Sequence, residues 1–325
     1  MRRLTSHRTE GYKPGLFLFC LFALFWVTLL LFAGGFTTSI KAGMAFLDWP
    51  LSDGSVNPEG WLTEQDKLAE HSHRLLGMKI GLLSIGLVLW TWIREVRPWV
   101  RMIARVLLLV VVLQGFMGGA RVVFDQLNTM ADHNLVAQAF AVAHACGAQI
   151  VVMLLVTLAI ASSRFWIDHN AGLSRPAPSP VKTWGVITCV AIFLQILVGA
   201  IMRHADAGLA IAQFPLSQPG SLLPAYWNFD VAIHFAHRVG AIIVTVVLII
   251  FAGKTWGFAL TRNAYKYGVI LVLALLAVQI YLGALTIWTV KNPHVATAHT
   301  LVGAFLLASA WGLTLLAHRP IDSKS

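Results

Sequence analysis

Long apolar runs dominate the chain and alternate with short polar segments. Eight runs are close to or above the roughly 20 residues that a helix needs to cross a bilayer. They are centred near Phe25, Ile85, Val112, Val151, Leu194, Val244, Leu273 and Leu306. The polar segments between them are too short for a soluble domain, and backbone polar groups in lipid must be paired within helices. The pattern predicts an all-α integral membrane protein of eight transmembrane helices, with residues 1–325 as one membrane domain.

Composition and charge agree with a membrane setting. Hydrophobic residues make up 58% of the chain and charged residues only 12%, whereas soluble domains carry charges at roughly a quarter of positions. The net charge of +10 could suggest nucleic acid, but Lys and Arg concentrate near both termini and between each even run and the next odd one. Basic loops stay on the cytoplasmic side. We therefore expect cytoplasmic termini, contact with membrane lipid and no nucleic-acid partner.

Glycines, prolines and histidines recur at a fixed distance along the chain. Gly34, Gly43 and Pro50 have counterparts 165 positions later, at Gly199, Gly208 and Pro215, and the His73-Arg74 pair recurs 164 positions later at His237-Arg238. His144 pairs with His299 at a shift of 155. Self-similarity of this kind indicates an internal repeat. It predicts two pseudo-symmetric four-helix bundles in the same orientation, formed by residues 15–162 (the first half) and 182–318 (the second half).

Four histidines lie inside apolar runs, where ionisable groups are costly and usually functional. They are His73 and His144 in the first half and His237 and His299 in the second. Each belongs to an even run and lies toward the outer end of that run. A haem iron takes two axial imidazoles from opposite faces, which facing helices of a four-helix bundle can supply. The sequence thus predicts one bis-histidine haem site per half.

Neighbouring residues fit such sites. Arg74 and Arg238 each follow a ligand and can offer a forked donor to haem propionates, while Gly77, Gly147, Gly240 and Gly303 would leave room for the macrocycle. Hydrogen bonding across helices is the alternative for any single histidine. Zinc is disfavoured because no outer loop gathers three or four suitable ligands. No role is assigned to Lys79, His133, His204, His234 or His294, and His71 is left out because it points away from the ligand face of its helix.

Several motifs together resemble the haem A synthase family over nearly the whole chain. They include GGFTTS at 34–39, DWPLS at 48–52, Glu70-x-x-His73-Arg74, and Gln-x-x-x-Gly at 114–118 and 195–199, with His237-Arg238 and His299 completing the histidine set. The resemblance implies a multi-pass protein of a bacterial inner (plasma) membrane. Its implied activity is oxidation of the C8 methyl of haem O, through successive hydroxylations, to the formyl group of haem A for terminal oxidases.

The resemblance also implies a division of labour. His237 and His299 would hold a haem b cofactor, while His73 and His144 would hold the substrate haem O beside Glu70. Glu70 lies three residues before His73 on the same helix face, where a carboxylate could stabilise developing positive charge or position water; a surface acid is the alternative. Haem O synthase is the implied partner, and a quinone or redox protein exchanges electrons. Self-association into a homo-oligomer is left open.

The sequence departs from the family pattern at two points. Two other functions would also use some of the same residues. The outer loops lack the cysteine pairs of many members, and Thr300 follows His299 where Gln is frequent. A di-haem b-type electron carrier would share all four histidines. A haem exporter would need a route between the faces, although the ligands lie toward one. Glu70 has His234 at its second-half position, and this asymmetry favours one catalytic half and one cofactor half.

Overall fold

The computed structural model describes residues 12, 14–126, 134–168, 176–259 and 263–320. Within them the chain forms eight long helices, with the bounds α1 Pro14–Ser39, α2 Gln65–Arg94, α3 Pro98–Gln126, α4 Leu135–Ser162, α5 Ser179–His204, α6 Phe229–Ala259, α7 Asn263–Trp288 and α8 Pro293–Ala317. A short helix, Arg164–Ile167, and a 3-10 turn, Ala207–Leu209, complete the helical structure of these residues. Isolated bridges at Ser52 and Gln218 are the sole β pairings in the described ranges.

All eight long helices are long and apolar enough to cross a membrane. This confirms the number and kind of elements that the apolar runs predict. Helix starts follow local chemistry: the Asn134 side chain accepts from the Ala137 N–H, and the Asn292 side chain accepts from His294 and Val295 before α8. Asn caps satisfy amides that lack an intrahelical partner. Pro293 occupies the first turn of α8, where its missing N–H costs nothing.

The helices pack mainly with near neighbours in sequence. In the first half α1 packs on α2 and α4, and α3 packs on α2 and α4; in the second half α5 packs on α6 and α8, and α7 packs on α6 and α8. Contacts between the halves are made by α1 and α4 with α8, and by α4 with α5. Four helices, α1, α4, α5 and α8, therefore line the interface between the halves.

The tightly packed core lies away from the candidate histidines. One cluster of buried side chains includes Cys20, Leu87, Val100, Leu107 and Leu155. A second cluster includes Val181, Leu248, Phe251, Tyr265 and Leu307. These residues lie toward the ends of the helices that are joined by the segments 95–97, 163–178 and 260–262. We call the opposite membrane side, which carries segments 40–64, 205–228 and 289–292, the histidine side.

The two long segments of the histidine side have matching backbones. Lys41 and Asp206, 165 positions apart, both have positive φ, and the peptide bonds Trp49-Pro50 and Phe214-Pro215 are both cis. Bridges join Ser52 to Ser55 and Gln218 to Ser221, and Gly54 and Gly220 have φ of 68° and 76°. Among the residues singled out in the sequence, His133 lies outside the described ranges, as do the terminal residues 1–11 and 321–325 that carry part of the basic charge.

Candidate functional site

Two pairs of histidines meet on the histidine side. The rings of His73 (α2) and His144 (α4) have centroids 6.2 Å apart at an interplanar angle of 89°. Those of His237 (α6) and His299 (α8) are 6.4 Å apart at 70°. Two imidazoles on one iron, each with a metal–nitrogen bond of about 2 Å, would have centroids roughly 6 Å apart. Each pair thus has the separation that axial ligation of one iron requires.

A glycine on the neighbouring helix lies against each of the four rings. A Cβ added at Gly34 would lie 2.6 Å from Cε1 of His73, and one at Gly199 would lie 2.9 Å from Cε1 of His237. Gly118 and Gly283 stand in the same relation to His144 and His299, at 3.4 and 3.2 Å. All four glycines belong to the odd-numbered helices. Because a glycine leaves the space of a side chain, each imidazole can lie directly on the opposite backbone.

The glycines against the histidine rings differ from those predicted to leave room for a macrocycle, which are Gly77, Gly147, Gly240 and Gly303. Cβ atoms at Gly147 and Gly240 would collide with the amide groups of Gln114 and Gln195, and one at Gly303 would lie 3.2 Å from Gln279 Nε2. Gly77 has nothing within 4 Å. Gly147, Gly240 and Gly303 therefore accommodate glutamine side chains next to the histidines.

Polar atoms at both pairs suit a bound haem. Nδ1 of His73, His144 and His299 is buried without a hydrogen-bond partner. Gln195 Nε2 lies 3.0 Å from His237 Nδ1 and donates to the His237 carbonyl at 2.8 Å, which orients that ring. No group of three or more His, Cys, Asp or Glu in the described ranges could enclose a metal ion. Two imidazoles with further donors from a porphyrin would satisfy iron, so the residues fit a haem.

Glu70 is buried rather than a surface acid. Its side chain is 6% exposed and forms an ion pair with Arg74 at 2.5 Å. The other carboxylate oxygen, Oε2, accepts from the Phe46 N–H at 3.1 Å. A carboxylate has about four acceptor sites, so the two in use leave capacity for another donor. Glu70 is thus fixed one helical turn from His73.

Arg74 and Arg238 both hold the backbone of the segments on the histidine side. Arg74 donates to the carbonyls of Phe46, Asp48 and Leu51 as well as to Glu70. Arg238 donates to the carbonyls of Ile211, Gln213 and Leu216, and its Nε is buried without a partner. The terminal nitrogens of both arginines are therefore engaged by backbone, and their contact with propionates stays a prediction.

His234 takes the structural place of Glu70 in the second half. The Ile211 N–H donates to His234 Nδ1 at 3.2 Å, as the Phe46 N–H donates to Glu70. His71, which the sequence analysis set aside, is 2% exposed and bonds Ser52 Oγ and the Val56 carbonyl. These contacts tie segments 40–64 and 205–228 to α2 and α6.

Three other residues without a sequence-based role lie outside the two pairs. Lys79 Nζ stands 3.0 Å from the centroid of the Trp26 ring, a cation–π contact inside the first half. His294 stacks on Phe36 at 5.2 Å. His204 ends α5 and is partly buried.

Two carboxylates on the histidine side outside the helices are held ionised. Burial raises the pKa of Asp206, but hydrogen bonds and charge from Lys291 and Lys41 outweigh it, so the pKa lies below its usual range. Burial likewise raises the pKa of Asp48, and backbone N–H donors at Gly54 and Asp53 bring it below the usual range. Both groups remain anionic at neutral pH and anchor their segments.

Arg121 and the three glutamines near the histidines were missed as site residues. Gln114 and Gln279 recur in the repeat, which was the available signal; Gln279 Nε2 lies 3.3 Å from His299 Nε2. Arg121 has no charged counterpart, since Thr286 stands 165 positions later. Its guanidinium lies against Gly43 on the histidine side, 2.7 Å from the position of an added Cβ. A repeat-based search cannot find a residue that occurs in one half alone.

Similarity to known proteins agrees with this site. Residues 17–311 match the COX15-CtaA family, described as cytochrome oxidase assembly protein. A protein named Heme A synthase from Geobacillus kaustophilus is 28% identical over 303 residues, covering 89% of this chain and 87% of its own. Proteins of that name from Symbiobacterium thermophilum and Listeria welshimeri are 30% and 27% identical, covering 86% and 90% of this chain and 87% and 92% of theirs.

The eight spanning helices and these bacterial relatives make the chain a multi-pass protein of the bacterial plasma membrane. The family match covers most of the chain and includes both histidine pairs. The chain belongs to the COX15-CtaA family of cytochrome oxidase assembly proteins.

Proposed function

We propose that this protein is a haem A synthase, an oxidoreductase that converts the C8 methyl of haem O into the formyl group of haem A by successive hydroxylation. The observation that carries the proposal is the presence of two histidine pairs with centroid separations of 6.2 and 6.4 Å. Membership of the family and relatives named Heme A synthase support it.

In this proposal the halves differ in task. His237 and His299 hold haem b, which supplies electron transfer when bound, and Gln195 keeps the His237 ring oriented. His73 and His144 hold haem O as the substrate. Trp49 covers α3 beside this pair, since a Cβ at Gly119 would meet its ring at 2.4 Å.

Glu70 is the chemical difference between the halves. At the same structural place the second half has His234, which is neutral when it accepts from a backbone N–H. The Glu70 carboxylate is held in place by Arg74 and Phe46. It can accept a hydrogen bond from a water molecule and so position that water toward the substrate. It also supplies negative charge where positive charge develops in oxidation.

The orientation and the repeat belong to the proposal as well. We place the histidine side in the periplasm and the termini in the cytoplasm, because basic residues concentrate on the opposite side. Matching positive φ values at Lys41 and Asp206, and matching glycine contacts at all four histidines, support two pseudo-symmetric bundles.

The reaction requires an enzyme that produces haem O and a redox partner that exchanges electrons. Haem O synthase provides haem O, and the product serves terminal oxidases, in keeping with the family description. With water as the oxygen source, oxidation of the methyl to the formyl group releases protons to solvent and electrons to a quinone or redox protein. With dioxygen as the oxygen source, the quinone or redox protein donates electrons to the hydroxylation instead. Nothing in the structure favours the di-haem electron carrier over this reaction.

The proposal is tested in cells that co-express a haem O synthase with this protein, by chromatography of extracted haems. We expect haem A to appear; its absence with the wild-type protein would refute the enzyme. Purified protein should also show a six-coordinate, low-spin haem b spectrum. His237→Ala and His299→Ala should each lose this signal, whereas His73→Ala should keep it. Full retention in both second-half variants would overturn the cofactor assignment.

A further inference from the structure

Arg121 lies on α3, one helical turn closer to the histidine side than the glycine that contacts His144. It follows Gly118, the residue against the His144 ring, by three positions, which is about 4.5 Å along the same helix face. Its guanidinium lies on the backbone of Gly43, where an added Cβ would be 2.7 Å from Nη1. Arg121 is therefore at the rim of this site.

The guanidinium of Arg121 has no acceptor among the described residues. No hydrogen bond or ion pair to it exists among the residues that the structure describes, and it is partly buried. Other arginines on the histidine side have acceptors. Arg203 donates to the Gly35 carbonyl and to the hydroxyls of Ser39 and Thr300. The terminal nitrogens of Arg74 and Arg238 donate to backbone carbonyls. The donors of Arg121 are therefore available to an acceptor that a ligand supplies.

In the second half, the cation at the corresponding place is neutralised by an acidic side chain. There Lys291 lies against Gly208, the counterpart of Gly43, at 3.4 Å from an added Cβ. Lys291 forms an ion pair with Asp206. The counterpart of Asp206 in the first half is Lys41, a second cation, and Lys41 reaches across to Asp206 at 2.9 Å. The acid that would neutralise Arg121 is therefore replaced by a base.

We propose that Arg121 binds a carboxylate of the tetrapyrrole held between His73 and His144. This inference rests on the proposed function. A guanidinium offers a planar fork of N–H donors that matches a carboxylate, and the carboxylates of a haem extend beyond the edge of the ring. Arg121 thus orients the substrate through terminal nitrogens that no described residue engages, whereas the terminal nitrogens of Arg238 in the second half hold backbone carbonyls.

The test compares binding of two probes to the first-half site of the full-length protein, whose second half is already loaded with haem b. The probes are ferric haem and its dimethyl ester, in which both carboxylates are masked. Binding is followed by absorbance titration in detergent. Wild-type protein should prefer the free acid, and Arg121→Gln should reduce that preference roughly tenfold, as expected for loss of a charge-assisted hydrogen bond. Arg121→Lys should retain an intermediate preference.

The matched control is Arg105→Gln, which removes the same charge from the opposite end of α3, where Arg105 is exposed. It should leave the preference unchanged. An intact low-spin haem b spectrum shows that each variant is folded. If Arg121→Gln and Arg121→Lys both keep the wild-type preference, the Arg121 assignment is overturned. If His73→Ala does not weaken binding of ferric haem to the titrated site, the proposed first-half site itself fails.

Discussion

The positions of the four candidate ligand histidines depend on glycines of the neighbouring helices. Gly34, Gly118, Gly199 and Gly283 each give one imidazole direct access to backbone. The sequence indicated the histidines, because ionisable groups are rare in spans, and it indicated Gly34 and Gly199 as members of the repeat. It could not connect the two sets, since the contacts join residues on different helices.

At the cofactor site we expect Gly199→Ala to reduce haem b content. Its new methyl would lie 2.9 Å from His237 Cε1, so the ring must move and the axial bond would be misaligned. The measurement is the ratio of low-spin haem absorbance to protein after purification, which should fall several-fold. Gly253→Ala in α6 is the control, because nothing lies within 4 Å of its Cβ position. Equal haem content in both variants would show that this contact does not position the ligand.

Glu70→Gln should keep haem b and accumulate haem O or its hydroxylated intermediate. The amide preserves shape but removes the negative charge beside the substrate. Because Glu70 also anchors the Phe46 N–H, a control must separate chemistry from loop support. His71→Phe removes the bonds to Ser52 and Val56 and leaves the carboxylate in place. Haem chromatography should show more residual haem A with His71→Phe; equal loss in both would assign Glu70 a supporting role only.

At the scale of elements, the helices were predictable and the segments between them were not. Lipid requires each span to pair its backbone within a helix, so apolar length alone gave eight elements. The segment 40–64 is instead fixed by contacts that skip along the chain, as when Arg74 collects the carbonyls of Phe46 and Asp48. These contacts of Arg74 could not be predicted, because the sequence does not show which acceptors a buried guanidinium will meet, and its contact with a haem propionate stays a prediction.

The turn between α2 and α3 should show a defined pH dependence. Burial raises the pKa of Glu95, but Arg97 hydrogen bonds and charge bring it below its usual range, and Arg97 also donates to the Ala161 carbonyl at 2.8 Å. A depressed pKa contributes stability above the ordinary carboxylate pKa that is lost as pH falls through the folded value. We expect Glu95→Gln to cost on the order of 1 kcal/mol at pH 7.

The measurement is thermal unfolding of the detergent-solubilised protein across pH. The difference between wild type and Glu95→Gln should shrink as pH falls below about 4. Glu64→Gln is the control, since the Glu64 side chain is 52% exposed in its pair with Lys67 and should change stability little. A pH-independent difference for Glu95→Gln would contradict a contribution from ionisation.

At the scale of the whole molecule, a network of side-chain hydrogen bonds joins the two halves on the histidine side. Arg203 of α5 donates to the Gly35 carbonyl and to Ser39 of α1 at 2.6 and 2.7 Å. Ser39 in turn lies 3.0 Å from Thr297 Oγ1 of α8. Thr300, which departs from the family pattern beside His299, accepts from Arg203 at 2.6 Å. The departure therefore has a structural partner that links the halves near both sites.

The proposed orientation of the molecule rests on the distribution of basic residues and determines at which membrane face the chemistry would occur. Arg94, Arg97, Arg101 and Arg105 lie at the α2–α3 turn, opposite the four histidines, and basic segments resist translocation. A reporter active only in the periplasm should therefore be silent when fused after Ser325 and active when fused after a truncation at Gly220. A cytoplasmic reporter should give the reverse pattern. Periplasmic activity after Ser325 would invert the molecule and place both histidine pairs near the cytoplasm, so that haem A would form at that face.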